Sequence, residues 1–219
     1  QPFILGQKSL APKLAVRHDI QLVFYGEHEA EYGNPIGDTA KAKQDWNYFA
    51  SSDTAEIYFG GTSVKDLQEL YGVDKNDLHA YLPIDPDILE KKSIAVHYLG
   101  YYLKWHPQGN YYYAVEHGNF QAAPERTEGT YSKYNSIDDK VDDFYYYTTY
   151  IKFGIGRATY DAAQEVRSGD ITRDEAVSLV KRFDGEFPQR FAEDIYRYLT
   201  IDEKSFPVAH KQFAHPAMD

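Results

Sequence analysis

Apolar residues change from a short contiguous run near the start of the chain to helical spacing over most of the remainder. Residues 20–25 are β-branched and aromatic and are followed by a glycine, which predicts a buried strand. Residues 3–17 carry apolar side chains at helical intervals and predict a helix interrupted by Pro12. Because only two residues separate this helix from the strand, the pair is typical of the αβ half of a parallel-sheet unit.

From residue 63 onward the pattern is mainly helical. Helices are predicted over residues 63–70, 85–105 in two pieces, 107–117, 136–151, 158–168, 172–184 and 188–199. Local signals mark several of their starts: Ser63 and Ser136 as N-caps, Thr172 with Glu175 as a capping box, and Pro188 at a first helical position.

Composition narrows the class of protein. The chain of 219 residues is 42% hydrophobic and 26% charged, which is typical of a globular fold. No apolar run approaches the roughly 18 residues that span a bilayer, and the first residues lack the basic region of a secretory signal. The absence of cysteine fits a reducing compartment, and the net charge of −11 argues against nucleic-acid binding. We therefore expect a cytoplasmic protein with no membrane insertion and no nucleic-acid partner.

The first residue is Gln1, and the single methionine is Met218. Because an open reading frame begins with methionine, we expect the chain to be processed or truncated. This interpretation makes it a part of a longer protein.

An acidic segment directly follows the predicted strand. Glu27, Glu29 and Glu31 share one face if this segment is extended, and they lie where the carboxyl end of a strand would place a ligand site. Adjacent carboxylates repel, so a metal ion, a substrate amine or solvent must compensate. The pattern alone favours a solvated acidic loop, whereas the position after a strand favours a functional site.

Two further segments gather cations and glycines. Residues 125–136 contain Arg126 and Lys133 just before a predicted helix N-terminus, where anionic groups bind well. Phosphate binding and a capping loop held by ion pairs explain this segment equally well. Lys152 and Arg157 flank two glycines between predicted helices, and that pattern by itself favours a helix–helix connector.

Other groups favour structural interpretations. Three histidines lie in one stretch: His97, His106 and His117. Their spacings do not place two ligands one turn apart, so no metal site is predicted. Tyrosines 111–113 and 145–147 could stack on a sugar, although aromatic residues at helical spacing are more often core. The aspartates of residues 138–143 predict a solvated face near a helix start.

Several motifs extend over nearly the whole chain. They are residues 1–8 leading into 24–34, Gly-Thr-Tyr-Ser-Lys-Tyr at 129–134, Lys-Phe-Gly-Ile-Gly-Arg-Ala-Thr at 152–159, and residues 169–176. Together these motifs resemble the N-acetyl sugar amidotransferases of bacterial surface polysaccharide (lipopolysaccharide and O-antigen) and flagellin-sugar synthesis.

The resemblance implies an α/β fold of the PP-loop ATP pyrophosphatase (adenine nucleotide α-hydrolase-like) type, a doubly wound domain followed by a mainly α-helical region. Residues 1–62 would be the end of the nucleotide-binding domain, without its N-terminal part, and residues 63–219 the helical C-terminal domain. The implied reaction uses ATP and Mg²⁺ to adenylate the acetamido oxygen of a nucleotide sugar. Ammonia from a partner glutaminase, working with a cyclase-like subunit, then displaces AMP and leaves an acetamidino group.

The resemblance also implies roles for individual residues. Glu27, Glu29 and Glu31 would be catalytic and line the nucleotide crevice, through Mg²⁺ or by receiving ammonia. The implied substrate- and phosphate-binding residues are Lys8, Arg126, Lys133, Tyr134, Lys152 and Arg157. The family's Ser-Gly-Gly-x-Asp-Ser phosphate loop does not occur in these 219 residues. The reaction is therefore expected of the parent protein and not of this chain alone.

Other functions stay open. One is another PP-loop enzyme such as an RNA thiolase, against which the net charge of −11 argues. The others are a non-catalytic sugar- or partner-binding module built on the tyrosines and a hydrolase using Glu27 and Glu31. The amidotransferase interpretation specifically predicts that Arg126 and Lys133 face one cleft with residues 27–31.

Overall fold

The computed structural model describes residues 2–26, 41–46 and 49–202, together with Lys204, Phe206 and Ala214. The described residues form two compact units, an N-terminal unit up to Lys104 and a C-terminal unit from Trp105 onward. The architecture is mixed α/β, with small sheets and a mainly helical C-terminal region. Within the described ranges, no helix is both long and apolar enough to cross a membrane.

The N-terminal unit combines short helices with two small sheets. Its elements are α1 (Pro2–Arg17), β1 (Leu22–Tyr25), β2 (Tyr58–Phe59), β3 (Thr62–Ser63), α2 (Val64–Glu69), α3 (Lys75–Leu78), α4 (Pro86–Lys91), β4 (Ala95–Tyr98) and α5 (Leu99–Tyr102). Strand β1 pairs in parallel with β4, and β2 pairs antiparallel with β3. The predicted helix before a parallel strand is confirmed, but the predicted interruption at Pro12 is wrong, because α1 continues through this residue. The Ser63 cap is also confirmed, and its hydroxyl accepts a hydrogen bond from Asp66 N.

Strand β1 is less buried than its sequence predicts. Leu22 and Phe24 are 48% and 49% exposed, whereas Val23 and Tyr25 pack against the core. This alternation is typical of a strand covered on one face. The prediction of a strand is confirmed, but the prediction that the strand is buried is wrong, because only one of its faces packs against the core.

Residues 95–98 form a strand, although a helix was predicted over this part of the chain. Helix α4 ends at Lys91, and Ser93 has left-handed backbone with φ 54°, which stops a right-handed helix. Ile94 and Val96 are both buried, and their β-branched side chains favour extended structure. Because β4 pairs with β1, it belongs to the N-terminal unit, whereas the sequence-based division lies at residue 62. That division into a nucleotide-binding and a helical domain stays a prediction.

The C-terminal unit is helical. Its elements are α6 (Pro107–Gly118), α7 (Asp142–Phe153), α8 (Arg157–Ser168), α9 (Arg173–Phe183) and α10 (Ala192–Leu199). Residues 119–141, between α6 and α7, have no regular secondary structure. The capping box of Thr172 with Glu175 is confirmed, and Gly169 ends α8 in the left-handed conformation that the helix end requires (φ 86°).

Two helices begin later than predicted. Ser136 has φ 55°, which is incompatible with the extended backbone of an N-cap, and α7 begins at Asp142. Pro188 is buried in an irregular segment, and α10 begins at Ala192. The φ angle imposed by proline suits turns as well as first helical positions, so Pro188 does not locate the helix start.

Candidate substrate-binding site

An ion pair organises the loop that precedes α7. The guanidinium of Arg126 donates two hydrogen bonds to Glu186, at 2.6 and 2.5 Å, and Gly129 N donates to the same carboxylate at 2.8 Å. The hydrogen bond to Glu186 raises the pKa of Arg126, and the same bond lowers the pKa of Glu186. Arg126 also lies over the ring of Phe183, 4.9 Å from its centroid. The cation therefore fixes the loop onto the segment that follows α9.

A buried carboxylate on α8 accepts hydrogen bonds from two residues of the same loop. Thr130 Oγ1 donates to Asp161 Oδ2 at 2.5 Å, and Asn135 Nδ2 donates to Asp161 Oδ1 at 3.0 Å. Burial raises the pKa of Asp161, while the charge of Arg157 and these two donors oppose that rise. Three neighbours thus stabilise one carboxylate that is only 5% exposed.

Arg157 is the positive partner of this carboxylate. Its Nε lies 3.1 Å from Asp161 Oδ1, although the N–H is not aligned for a hydrogen bond, and its Nη1 lies 3.9 Å from Asp142. The guanidinium also lies 4.6 Å from the ring centroid of Tyr146. Burial lowers the pKa of Arg157, but Asp161, Tyr146 and Asp142 raise it by more, so the side chain stays charged. The positive charge is therefore balanced inside the protein.

A second buried carboxylate connects α6, the loop and α8. Glu165 accepts hydrogen bonds from Tyr131 Oη at 2.9 Å and from Gln108 Nε2 at 3.1 Å. Burial, followed by this hydrogen bond, raises the pKa of Tyr131. Burial also raises the pKa of Tyr134 to about 12, with Glu165 and Asp161 adding to the effect. Both phenols therefore stay protonated at neutral pH and can act as hydrogen-bond donors.

At Asp143, burial outweighs the charges of Arg190 and Arg157, which lower its pKa. It is 6% exposed, and its Oδ1 has no hydrogen-bond partner among the described residues. Burial raises its pKa to about 6, and the charge of Glu128 adds to the rise. The prediction that residues 138–143 form a solvated acidic face is wrong for Asp143, because this residue lies on the buried face of α7 with Phe144 and Ile151.

A cavity of about 250 Å³ lies among α6, α8 and the loop. Its aromatic lining consists of Trp105, Tyr111, Phe120 and Tyr134. Its polar lining consists of Asn110, Asn135, Arg157 and Gln164. Tyr111 and Tyr134 are stacked with ring centroids 4.3 Å apart, and Phe120 meets Tyr111 edge-on at 6.0 Å. The arrangement is a small aromatic pocket with amide groups in its wall.

The structure brings two of the sequence-predicted site residues, Tyr134 and Arg157, to this cavity. Arg126 binds Glu186 instead, and Lys133 is exposed with its Nζ donating to the carbonyl of Pro124 at 2.9 Å. Lys152 is exposed beside the ring of its neighbour Phe153. Neither lysine lines the cavity.

The remaining predicted residues concern the first part of the chain. Lys8 lines a separate cavity of about 330 Å³ in the N-terminal unit, next to Ser9 and Tyr81. Glu27, Glu29 and Glu31 lie outside the described residues. The predicted cleft that they would share with Arg126 and Lys133 therefore stays a prediction. In the ranges that are described, no group of three or more histidine or acidic residues could hold a metal ion.

Sequence reasoning missed Trp105, Asn110 and Asn135 as members of a site. Trp105 precedes α6, Asn110 lies on α6 and Asn135 lies in the loop, and none belongs to a recognisable motif. One signal was present, since Arg157 and Asp161 have the i, i+4 spacing of a helical ion pair. That spacing would have indicated that the charge of Arg157 is balanced by the carboxylate of Asp161.

The comparison with protein families concerns this same part of the chain. Residues 128–219 match the family model described as LPS biosynthesis protein WbpG-like, C-terminal domain. No curated protein gives a significant match to the chain. The matched range contains Tyr134, Asn135 and Arg157 of the cavity and the buried carboxylates that support it. The C-terminal part of the chain is therefore similar to the C-terminal domain of a family of lipopolysaccharide biosynthesis proteins.

Proposed function

We propose that this chain is the C-terminal part of a cytoplasmic, ATP-dependent amidotransferase of lipopolysaccharide and O-antigen biosynthesis. The enzyme converts the N-acetyl group of a nucleotide sugar into an acetamidino group. The observation that carries the proposal is the match of residues 128–219 to the C-terminal domain of a lipopolysaccharide biosynthesis family. The motifs at residues 24–34, 129–134 and 152–159 support the finer assignment to an amidotransferase.

The proposed reaction has two balanced steps. The acetamido oxygen attacks the α-phosphorus of ATP and pyrophosphate leaves, which gives an adenylated imidate. Ammonia then adds to the imidate carbon and AMP leaves with the former acetamido oxygen. The ammonia comes from a partner glutaminase working with a cyclase-like subunit.

The proposal gives the described residues a binding role and not a role in ATP chemistry. The described ranges contain no three-ligand metal cluster, and the chain has no Ser-Gly-Gly-x-Asp-Ser loop. In the proposed reaction Mg²⁺ accompanies the ATP phosphates. Lys133 and Lys152 are exposed, so their charges remain accessible to an anionic part of the substrate.

The proposal is tested by assaying the full-length parent protein with ATP, Mg²⁺, ammonium chloride and a nucleotide sugar that carries an acetamido group. AMP and pyrophosphate should appear only when that sugar is present. The same sugar with a hydroxyl in place of the acetamido group should give neither product. The isolated 219-residue chain should also be inactive.

A pair of lysine variants adds a test of the site. Lys133→Ala should lower turnover or raise KM, depending on whether the charge acts in the transition state or in the ground state. Lys181→Ala, on the exposed surface of α9, should leave both unchanged. A full-length protein that binds acetamido sugars but never hydrolyses ATP would contradict the enzyme assignment and favour a sugar-binding module.

A further inference from the structure

We infer that the cavity lined by Trp105, Tyr134 and Arg157 binds an uncharged pyranose ring, and not a phosphate or a carboxylate. The identification of that ring as the acetamido sugar of the substrate rests on the proposed function. The binding itself is argued from the size, charge and lining of the cavity.

The size of the cavity limits the ligand to one ring. Its volume is about 250 Å³, below the roughly 300–1,000 Å³ that is usual for pockets that enclose drug-sized ligands. A whole nucleotide sugar would therefore extend beyond it. One monosaccharide unit is a better match.

The charge of the cavity argues against an anion. Arg157 is the one cation that the described part of the chain contributes to the lining, and Asp161 lies 3.1 Å from its Nε while Asp142 lies 3.9 Å from its Nη1. An anion placed beside Arg157 would meet two carboxylates that already balance the guanidinium. A neutral ligand avoids this repulsion. Arg157 is therefore a positioning residue that holds Asp161, and through it Asn135, in place.

The lining fits the two surfaces of a sugar. The C–H face of a pyranose is apolar and packs against aromatic rings, which Tyr111, Tyr134 and Phe120 supply. Its hydroxyl and acetamido oxygens need hydrogen-bonding groups, and the side-chain amide of Asn110 offers both donors and an acceptor. The combination is less suited to a purely apolar ligand, because such a ligand would take hydration from the Asn110 amide without offering it a hydrogen bond.

A buried donor in the wall supports the same ligand. Trp105 Nε1 is buried and has no hydrogen-bond partner among the described residues. A buried N–H without an acceptor is costly, so a ligand oxygen that reaches it with a small movement of the indole gains the full benefit of the new bond. A hydroxyl or acetamido oxygen provides that acceptor.

The chain offers a matched control for this donor. It contains two tryptophans, and Trp46 also has a buried Nε1 without a partner in the described part of the chain. Trp46 packs against the core of the N-terminal unit and does not line the cavity. With Trp46 replaced, Trp105 is the single fluorescent reporter at the cavity; with Trp105 replaced, Trp46 shows whether any fluorescence change arises elsewhere.

The experiment titrates the 219-residue chain with N-acetylglucosamine, glucuronate and inorganic phosphate, without ATP, and follows tryptophan fluorescence and protein NMR shifts. N-acetylglucosamine should bind, and the Trp46→Phe variant should keep both the affinity and the fluorescence change. Trp105→Phe should abolish the fluorescence change and weaken the affinity about three- to tenfold by NMR, as expected for one lost hydrogen bond. Asn110→Ala, at an exposed position, should weaken binding similarly if Trp105→Phe does not fold.

Binding of phosphate or glucuronate as tight as that of N-acetylglucosamine would overturn the inference, as would equal effects of the two tryptophan variants or no binding at all. Its failure is distinguishable from that of the proposed function. Sugar binding by the chain, with an inert full-length protein, would remove only the amidotransferase assignment. An active full-length enzyme whose KM for the sugar is unchanged by Trp105→Phe would remove only this inference.

Discussion

The two units of the molecule bury different kinds of side chain. The core of the N-terminal unit is apolar and mainly aliphatic, with Leu89, Ile94 and Val96 at most 2% exposed. The buried carboxylates among the described residues all lie in the C-terminal unit: Asp143, Asp161 and Glu165. Hydrophobic burial is not directional, whereas hydrogen-bonded carboxylates fix particular partners. The difference shows that the first unit depends on its apolar pattern, and the second on a polar network that shapes a loop and its cavity.

The largest effect is expected for the carboxylate at the centre of the polar network. Asp161→Ala would leave Arg157 buried without its main partner, and we expect it to lower the free energy of unfolding by about 3–5 kcal/mol. Urea denaturation followed by circular dichroism measures this loss. Asp138→Ala, at an exposed position of the same unit, should change stability by no more than about 0.5 kcal/mol. Equal effects of the two substitutions would contradict the proposed importance of the network.

Leu89→Ala, in the aliphatic core, is expected to lower the free energy of unfolding by about 3 kcal/mol. This side chain is fully buried, so Leu89→Ala removes apolar contacts and leaves a cavity. Leu70→Ala provides the control, because Leu70 is 73% exposed. The loss for Leu89→Ala should be the same at pH 5 and pH 8, since no ionisable group is involved. A loss that depends strongly on pH would contradict the view that the N-terminal unit is stabilised mainly by apolar contacts.

The sequence predicted much of the fold and little of the site for the same reason. Helix α8 and the capping box of α9 are specified locally, by apolar spacing and by Thr172 with Glu175. Strand β4 was missed because its extended form depends on pairing with β1, far away in the sequence. The cavity was missed because Trp105, Asn110 and Asn135 meet only after the loop has folded onto α8. Tyr134 and Arg157 were predicted from the resemblance, but Arg157 proves to be balanced by Asp161.

The pH dependence of stability should reflect Asp143. Its folded pKa of about 6 lies above the value of about 3.9 expected in the unfolded chain. Between these values the folded protein holds a proton that the unfolded chain has lost, so stability falls as pH rises through this window. Asp143→Asn cannot ionise and should be about 1–2 kcal/mol more stable than the wild type at pH 8, after allowance for solvent screening. The difference should vanish near pH 4, and a variant that is less stable at pH 8 would refute the assignment.

The smallest effect concerns a feature outside both the network and the aliphatic core. Thr172→Ala removes a capping box in which Thr172 Oγ1 accepts from Glu175 N at 3.3 Å, and it should cost about 1 kcal/mol. Ser178→Ala, on the exposed surface of the same helix, should have almost no effect because its hydroxyl only bonds back to the carbonyl of Asp174. Thermal denaturation of both variants checks the difference. A Thr172→Ala loss as large as that of Asp161→Ala would show that helix capping, and not the polar network, dominates the stability of this unit.

The most direct test of the amidotransferase assignment follows one oxygen atom. The full-length protein is given ATP, ammonium and a nucleotide sugar whose acetamido oxygen is a heavy isotope, and the products are analysed by mass spectrometry. Adenylation of that oxygen, followed by displacement by ammonia, predicts that the label is recovered in AMP and that the sugar gains an acetamidino nitrogen from ammonium. AMP without the label, or a sugar that keeps its labelled acetamido group while ATP is consumed, would contradict the account.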